Sequence, residues 1–309
     1  MKNLIKLKPL MISWLNQKIK TVLAAEVKQA WNVQELVYSS THLPVELPTP
    51  KRKEGSQVID IASQSAVFWR PKNNSYLFTK NPQEIRPIAS LTKLMTALVF
   101  LDNNPGWEEI YTIKREDRRE GGKIFLFLGD KIKVKHLFHA SLIASANTAT
   151  MALANSTGLT EAEFVDKMNQ KAKDFGLENT SFADPVGLSE KNLSSAQDVA
   201  KLLSLALNQE TIKQAVALEN YEFSTEQGKI KQLETTDQLL SVDLANFEIK
   251  GGKTGYTDEA GGCLALQLNR AGEDFFAVVL GAENHDSRFV EMLKLLNWLE
   301  ENYNWPSNN

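Results

Sequence analysis

The sequence predicts an α+β domain, in which strands from both ends of the domain form one antiparallel sheet with helices on its faces. Three observations carry this expectation. A hairpin pattern occupies residues 57–78, three strand-like runs separated by turn residues occupy 249–280, and the segment between them is dominated by helical periodicity. Because the two sets of strands share one pattern, they are expected to pair in a single sheet.

In chain order, residues 1–25 carry Leu4, Ile5, Leu7, Trp14, Leu15, Ile19, Val22 and Leu23 among lysines. The run is too short and broken for a transmembrane helix and makes a poor signal peptide. It suits a basic amphipathic surface helix, and equally a helix packed on the protein. Pro44, Pro48, Pro50 and Lys51-Arg52-Lys53-Glu54 read as a linker, which divides an N-terminal arm (1–50) from the main domain (51–309). Val58-Ile59-Asp60-Ile61 opens a strand pattern that continues through Ala66-Val67-Phe68-Trp69, and a turn at Pro71–Ser75 returns it along Tyr76-Leu77-Phe78.

A helix follows, with Leu94, Met95, Ala97, Leu98 and Leu101 at helical spacing and Asn103-Asn104-Pro105-Gly106 as its stop. After a turn-rich stretch, helices are expected over 134–143, 148–155, 161–175 and 195–207, the last capped by Ser194 or Ser195. Strands at 249–256, 262–268 and 274–280 precede a closing helix, 287–303, with Phe289, Met292, Leu295, Leu296 and Leu299 facing inward.

Hydrophobic residues make up 42% of the 309 residues, enough for a substantial core. A formal charge of -3 without a basic stripe argues against a nucleic-acid partner. A single cysteine, Cys263, excludes intramolecular disulfides and cysteine metal sites. His136 and His139 lie three apart, but no third ligand accompanies them, so packing or surface roles are favoured and no metal or organic cofactor is expected.

Three short motifs carry chemistry. Ser90-Leu91-Thr92-Lys93 stands at the start of the first helix, where a lysine three positions on lies on the serine's face. An amine in that place can serve as the base that a serine nucleophile needs. Ser145-Ala146-Asn147 lies between helices, and Lys253-Thr254-Gly255 on a strand. Each has an ordinary alternative, the serines as helix caps, Asn147 as a turn residue and the lysines as solvated surface. Their order and placement together favour the catalytic reading.

The ordered triplet Ser-x-x-Lys, Ser-x-Asn, Lys-Thr-Gly resembles that of penicillin-binding proteins and class A β-lactamases. Ala89–Thr96, Phe182–Leu188 and Lys253–Gly261 are similar to the low-molecular-mass D-alanyl-D-alanine carboxypeptidases, over about residues 57 to 300. The resemblance implies a β-lactamase/transpeptidase-like fold with a helical insertion, and a serine carboxypeptidase trimming peptidoglycan stem peptides outside the cytoplasm. It assigns Ser90 as nucleophile and Lys93 as its base, made neutral by the Lys253 ammonium and by burial. Ser145 would relay a proton to the leaving amine, and Asn147 would orient Lys93 and the substrate amide. The backbone N–H groups of Ser90 and Tyr256 would form the oxyanion hole. Thr254 and Arg288, beside Gly255, would hold the terminal carboxylate; Arg288 otherwise has Asp286 and Glu291 as ion-pair candidates on the closing helix.

The same likeness implies covalent inhibition by β-lactams. The Glu-x-x-Leu-Asn pattern of class A β-lactamases is missing after Asn147, which leaves efficient β-lactam hydrolysis as a runner-up beside an endopeptidase and a non-catalytic cell-wall-binding scaffold. Peripheral membrane contact, if made, is expected through the N-terminal arm.

Overall fold

The computed structural model describes residues 49–244 and 246–306. The expected amphipathic helix and all of the arm before Thr49 fall outside them. The five-stranded sheet comprises β1 (Ser65–Arg70), β2 (Ser75–Lys80), β3 (Glu248–Thr257), β4 (Gly261–Arg270) and β5 (Glu273–Ala282). Its order is β3-β4-β5-β1-β2 and every pairing is antiparallel. The expected union of N- and C-terminal strands is therefore made by β5 against β1, with Val278 opposite Val67. The helices are α1 (Lys93–Asp102), α2 (Val134–Leu142), α3 (Asn147–Ser156), α4 (Glu161–Asp174), α5 (Ala196–Leu207), α6 (Glu210–Val216) and α7 (Ser287–Asn302).

Alternation along the strands explains the layering. Val67, Trp69, Ala265, Val278 and Leu280 point into one core shared with α1–α6, whereas Ala66, Phe68, Leu264, Leu266 and Val279 point into another. The second core is closed by Phe289, Met292, Leu295, Leu296 and Leu299 of α7. Both sheet faces are thus covered, and all six residues of β1 are buried. Helix α1 is buried from Lys93 through Phe100, so it runs through the helical layer rather than along its surface. Capping matches the sequence: Ser195 Oγ accepts from Asp198 N, and Thr160 and Glu163 form a reciprocal capping box on α4.

One expectation changes. Residues 58–61 form no strand; β1 begins at Ser65. The segment has no sheet neighbour and instead lies on α7, with Gln57 O accepting from Trp298 Nε1 at 2.9 Å and Asp60 O from Lys294 Nζ. Val58 is accordingly exposed. The segment between α5 and β3, unassigned from the sequence, contains α6 and a hairpin, Asn220–Ser224 paired with Ile230–Glu234. His136 and His139 tie this hairpin to α2. His136 bonds Tyr221 through Nδ1 at 2.8 Å and stacks on Phe223, while His139 stacks on Tyr221 with ring centroids 4.3 Å apart.

Candidate active site

The three motifs converge on one cleft of about 420 Å³, lined among others by Ser90, Ser145, Asn147, Thr254, Gly255, Tyr256 and Arg288. Ser90 sits in a 3₁₀ turn, Ala89–Thr92, that feeds directly into α1. In 3₁₀ geometry residues i and i+3 eclipse, which places the Lys93 amine over the serine. Lys93 Nζ donates to Ser90 Oγ at 2.7 Å.

Two glycines let the turn be packed this closely. A Cβ on Gly255 would lie 2.9 Å from Ile88 O and 3.1 Å from Ser90 N, so the sheet edge presses against the turn only because that position has no side chain. On the other side, a Cβ on Gly187 would stand 2.1 Å from Ala89 O. Ala89 itself is held at φ 47°, a left-handed conformation that alanine adopts only under constraint.

Lys93 is fully buried. Its amine also donates to Asn147 Oδ1 at 3.0 Å and to Val186 O at 2.7 Å. Asn147 is in turn held by Glu120 O and Gly121 O, both accepting from Nδ2. Burial first, and the Lys253 charge second, hold the Lys93 amine well below the ordinary lysine range, with Asp184 pulling the other way. The sequence argument put the neighbouring ammonium first; burial is the larger cause.

Lys253, on the edge strand β3, donates to Ser145 Oγ at 2.9 Å and Thr254 O at 3.2 Å. It too is buried, and burial together with the Arg288 charge lowers its pKa to about 7. Ser145 has φ 53°, so the turn between α2 and α3 bends its hydroxyl position into the cleft at some backbone cost. Arg288, in the first turn of α7, reaches across to Gly255 O at 3.1 Å and to His285 Nε2 at 2.9 Å. It pairs with neither acid that the sequence offered: Asp286 bonds His285, and Glu291 accepts from Ala62 N. Tyr256 is 39% exposed, with its hydroxyl donating to Asp258.

Several contributors lay outside the motifs. Asp184 organises the loop that delivers the Val186 carbonyl. Its Oδ1 accepts from Val186 N and Gly187 N, both at 2.6 Å, and its Oδ2 from Ser189 N and Asn192 Nδ2, both at 2.7 Å. An aspartate beside a proline and a glycine was a visible turn signal, but nothing local linked it to Lys93. Thr236, at the end of the hairpin, bonds Thr254 hydroxyl to hydroxyl at 2.6 Å. Asp237 is buried beneath the cleft; burial raises its pKa against the opposing pull of Lys253 and Arg288.

The arrangement can perform nucleophilic acyl transfer. It has a serine bonded to a buried amine of low basicity, a second amine bonded to a second hydroxyl, and a guanidinium at one end of the cleft.

Comparison with known proteins agrees. Residues 51–284 match the family model described as D-alanyl-D-alanine carboxypeptidase. D-alanyl-D-alanine carboxypeptidase DacF of Bacillus subtilis is 32% identical over 262 residues, covering 82% of this chain and 66% of that protein. D-alanyl-D-alanine endopeptidase of Escherichia coli is 31% identical over 245 residues, 78% of each chain. The crystal structure of the Streptomyces K15 DD-transpeptidase superposes with a TM-score of 0.72 at 27% identity, covering 79% of this chain and 99% of that one. Motifs, fold and relatives agree, and the chain belongs to the D-alanyl-D-alanine carboxypeptidase family.

Proposed function

We propose that this chain is a serine carboxypeptidase that removes the terminal D-alanine of peptidoglycan stem peptides through an acyl-enzyme on Ser90. The observation that carries the reading is the 2.7 Å contact between Ser90 Oγ and the buried Lys93 amine. Once neutral, Lys93 keeps its two N–H bonds to Asn147 Oδ1 and Val186 O, and its lone pair takes the hydroxyl proton as Ser90 Oγ bonds to the carbonyl carbon between the two D-alanines. The C–N bond then breaks, and the leaving amine takes a proton through Ser145, which Lys253 holds. Asn147 keeps the Lys93 amine aimed at the nucleophile. The N–H groups of Ser90 and Tyr256 receive the oxyanion, and Thr254 and Arg288 hold the free carboxylate. Water releases the shortened peptide. β-Lactams enter the same path and stay on Ser90, in keeping with the cefotaxime-bound Listeria monocytogenes penicillin-binding protein D2, which is 29% identical with a TM-score of 0.69.

A second reading, cleavage of cross-links, is favoured by the endopeptidase names of several relatives, among them one of Haemophilus influenzae at 35% identity over 201 residues. The deciding assay is release of free D-alanine from a short peptide ending in D-Ala-D-Ala, set against release from a cross-linked dimer. Ser90→Ala should abolish both release and labelling by fluorescent penicillin; persistent labelling would sink the nucleophile assignment. We assign catalysis to residues 51–309, outside the cytoplasm at the cell envelope, and any membrane contact to the N-terminal arm. Co-sedimentation of the chain with anionic vesicles, with and without residues 1–50, tests that contact.

A further inference from the structure

The end of the cleft at Arg288 is built with a side chain that none of the three motifs supplies. We propose that His285 is a positioning residue for carboxylate capture: neutral and protonated on Nδ1, it holds the Arg288 guanidinium in place before substrate arrives. The inference rests on Arg288 binding the substrate carboxylate, and deepens that reading.

The geometry fixes the tautomer. Arg288 Nη2 lies 2.9 Å from His285 Nε2, and a guanidinium has donors but no acceptor. Nε2 must therefore offer its lone pair. The ring proton then sits on Nδ1, where Asp286 Oδ1 accepts it at 2.7 Å. Asp286, His285 and Arg288 form a short relay in which the carboxylate sets the ring and the ring sets the guanidinium.

The backbone beneath this relay is constrained too. Asn284 Oδ1 accepts from both Asp286 N and Ser287 N at 3.0 Å. A Cβ on Gly262 would lie 2.5 Å from Asn284 O, so β4 runs hard against the start of α7. The Tyr256 ring meets the imidazole edge-on with centroids 5.6 Å apart.

Arg288 has few other ways to be held. It is buried, its Nε has no partner among the described residues, and its Nη1 is committed to Gly255 O at 3.1 Å. Glu291, one turn along, is engaged by the backbone of Ala62. His285 is thus the side chain that orients the Nη2 side of the guanidinium, and it lines the cleft beside it. A guanidinium fixed in advance loses less rotational freedom when the carboxylate binds, so the gain appears in substrate capture rather than in the chemical step.

The first test is independent of activity. Nitrogen NMR of the imidazole in the substrate-free wild type should show a protonated Nδ1 and a bare Nε2, assigned by the signals lost in His285→Gln. An Nε2–H tautomer would overturn the proposal. The second test is kinetic. His285→Ala should raise KM for a free-carboxylate peptide about tenfold, as for loss of one hydrogen bond to a charged group, with kcat nearly unchanged. His285→Gln, whose amide oxygen can accept from Arg288, should restore most of the loss, and an amidated peptide should be indifferent to both changes. Equal losses on both peptides, or a glutamine variant as poor as alanine, would refute the role. A wild type that releases no D-alanine would sink the carboxypeptidase reading instead, and the ring tautomer would still decide whether His285 holds Arg288.

Discussion

Replacing Lys253 with methionine should destroy activity and yet make the fold more stable at neutral and acid pH. Burial, and then the Arg288 charge, hold the Lys253 amine at about 7 against an ordinary value of 10.5, with Asp237 pulling upward. In the unfolded chain the amine titrates at its ordinary value. Between those two pH values the unfolded state keeps a proton that the folded state lacks, so stability rises with pH across the window. Below about pH 7 both states are protonated, and the folded state bears the whole cost of a buried, repelled ammonium. The gap from 10.5 to about 7 corresponds to about 5 kcal/mol. Methionine fills a similar volume without the charge, but it forfeits the bonds to Ser145 Oγ and Thr254 O, at about 1 kcal/mol each. It also leaves the buried Asp237 carboxylate less compensated, at roughly another 1 kcal/mol. The net expectation is a gain of about 2 kcal/mol at pH 6 that disappears and then reverses as pH approaches 10. Urea unfolding of both proteins at pH 6, 8 and 10, followed by circular dichroism, measures it. A variant that is no more stable at pH 6, or whose gain is the same at every pH, would refute the reasoning.

Other expectations follow from the same contacts. Asp184→Asn keeps an acceptor for Val186 N and Gly187 N but turns a donor toward Ser189 N and Asn192; it should lose about 3 kcal/mol of stability. It should also slow penicillin acylation, because the Val186 carbonyl that steadies Lys93 moves, and an unchanged acylation rate would reject that link. Gly255→Ala should abolish acylation while leaving far-UV circular dichroism intact, since the new Cβ must displace Ile88 O or Ser90 N; a labelled Gly255→Ala would show that the turn yields. Because the Lys93 amine is held well below the ordinary lysine range, stopped-flow acylation should reach its plateau well short of pH 10. A rate still climbing at pH 10 would mean that the base is an ordinary lysine.

The layout of strands and helices was legible because each core element carries its own period and punctuation. The turns at Asp258–Gly261 and Ala271–Glu273, for example, mark the ends of β3, β4 and β5. Residues 58–61 misled because four residues of strand composition look alike whether a neighbour strand exists or not. Here the neighbour is a helix, and side chains rather than a ladder satisfy the backbone. The 220–234 hairpin was missed because charged residues interleave its apolar positions, leaving Phe223 and Leu233 as a thin signal. Spacing and resemblance singled out Ser90, Lys93, Ser145, Asn147, Lys253, Thr254, Gly255, Tyr256 and Arg288, and the structure gathers them at one cleft. Thr236 and His285 were not singled out, and Asp184 stood inside the Phe182–Leu188 resemblance without a role. The partner of Thr236 is distant in sequence and those of Asp184 are mostly backbone N–H groups, while His285 meets Asp286 and Arg288 in a turn that has no periodic pattern to mark it.

The pairing of β5 with β1 has a temporal side. Val278 opposes Val67, and Lys253 Nζ reaches the Ser145 hydroxyl, so neither the sheet nor the cleft can close until the last quarter of the chain has emerged. A chain of this topology spends its synthesis without its central strand pair, and such long-range pairing slows folding in general, since distant segments must meet before their contacts reward them. A partly made chain therefore holds Ser90 and Lys93 without the β3 edge that completes the site.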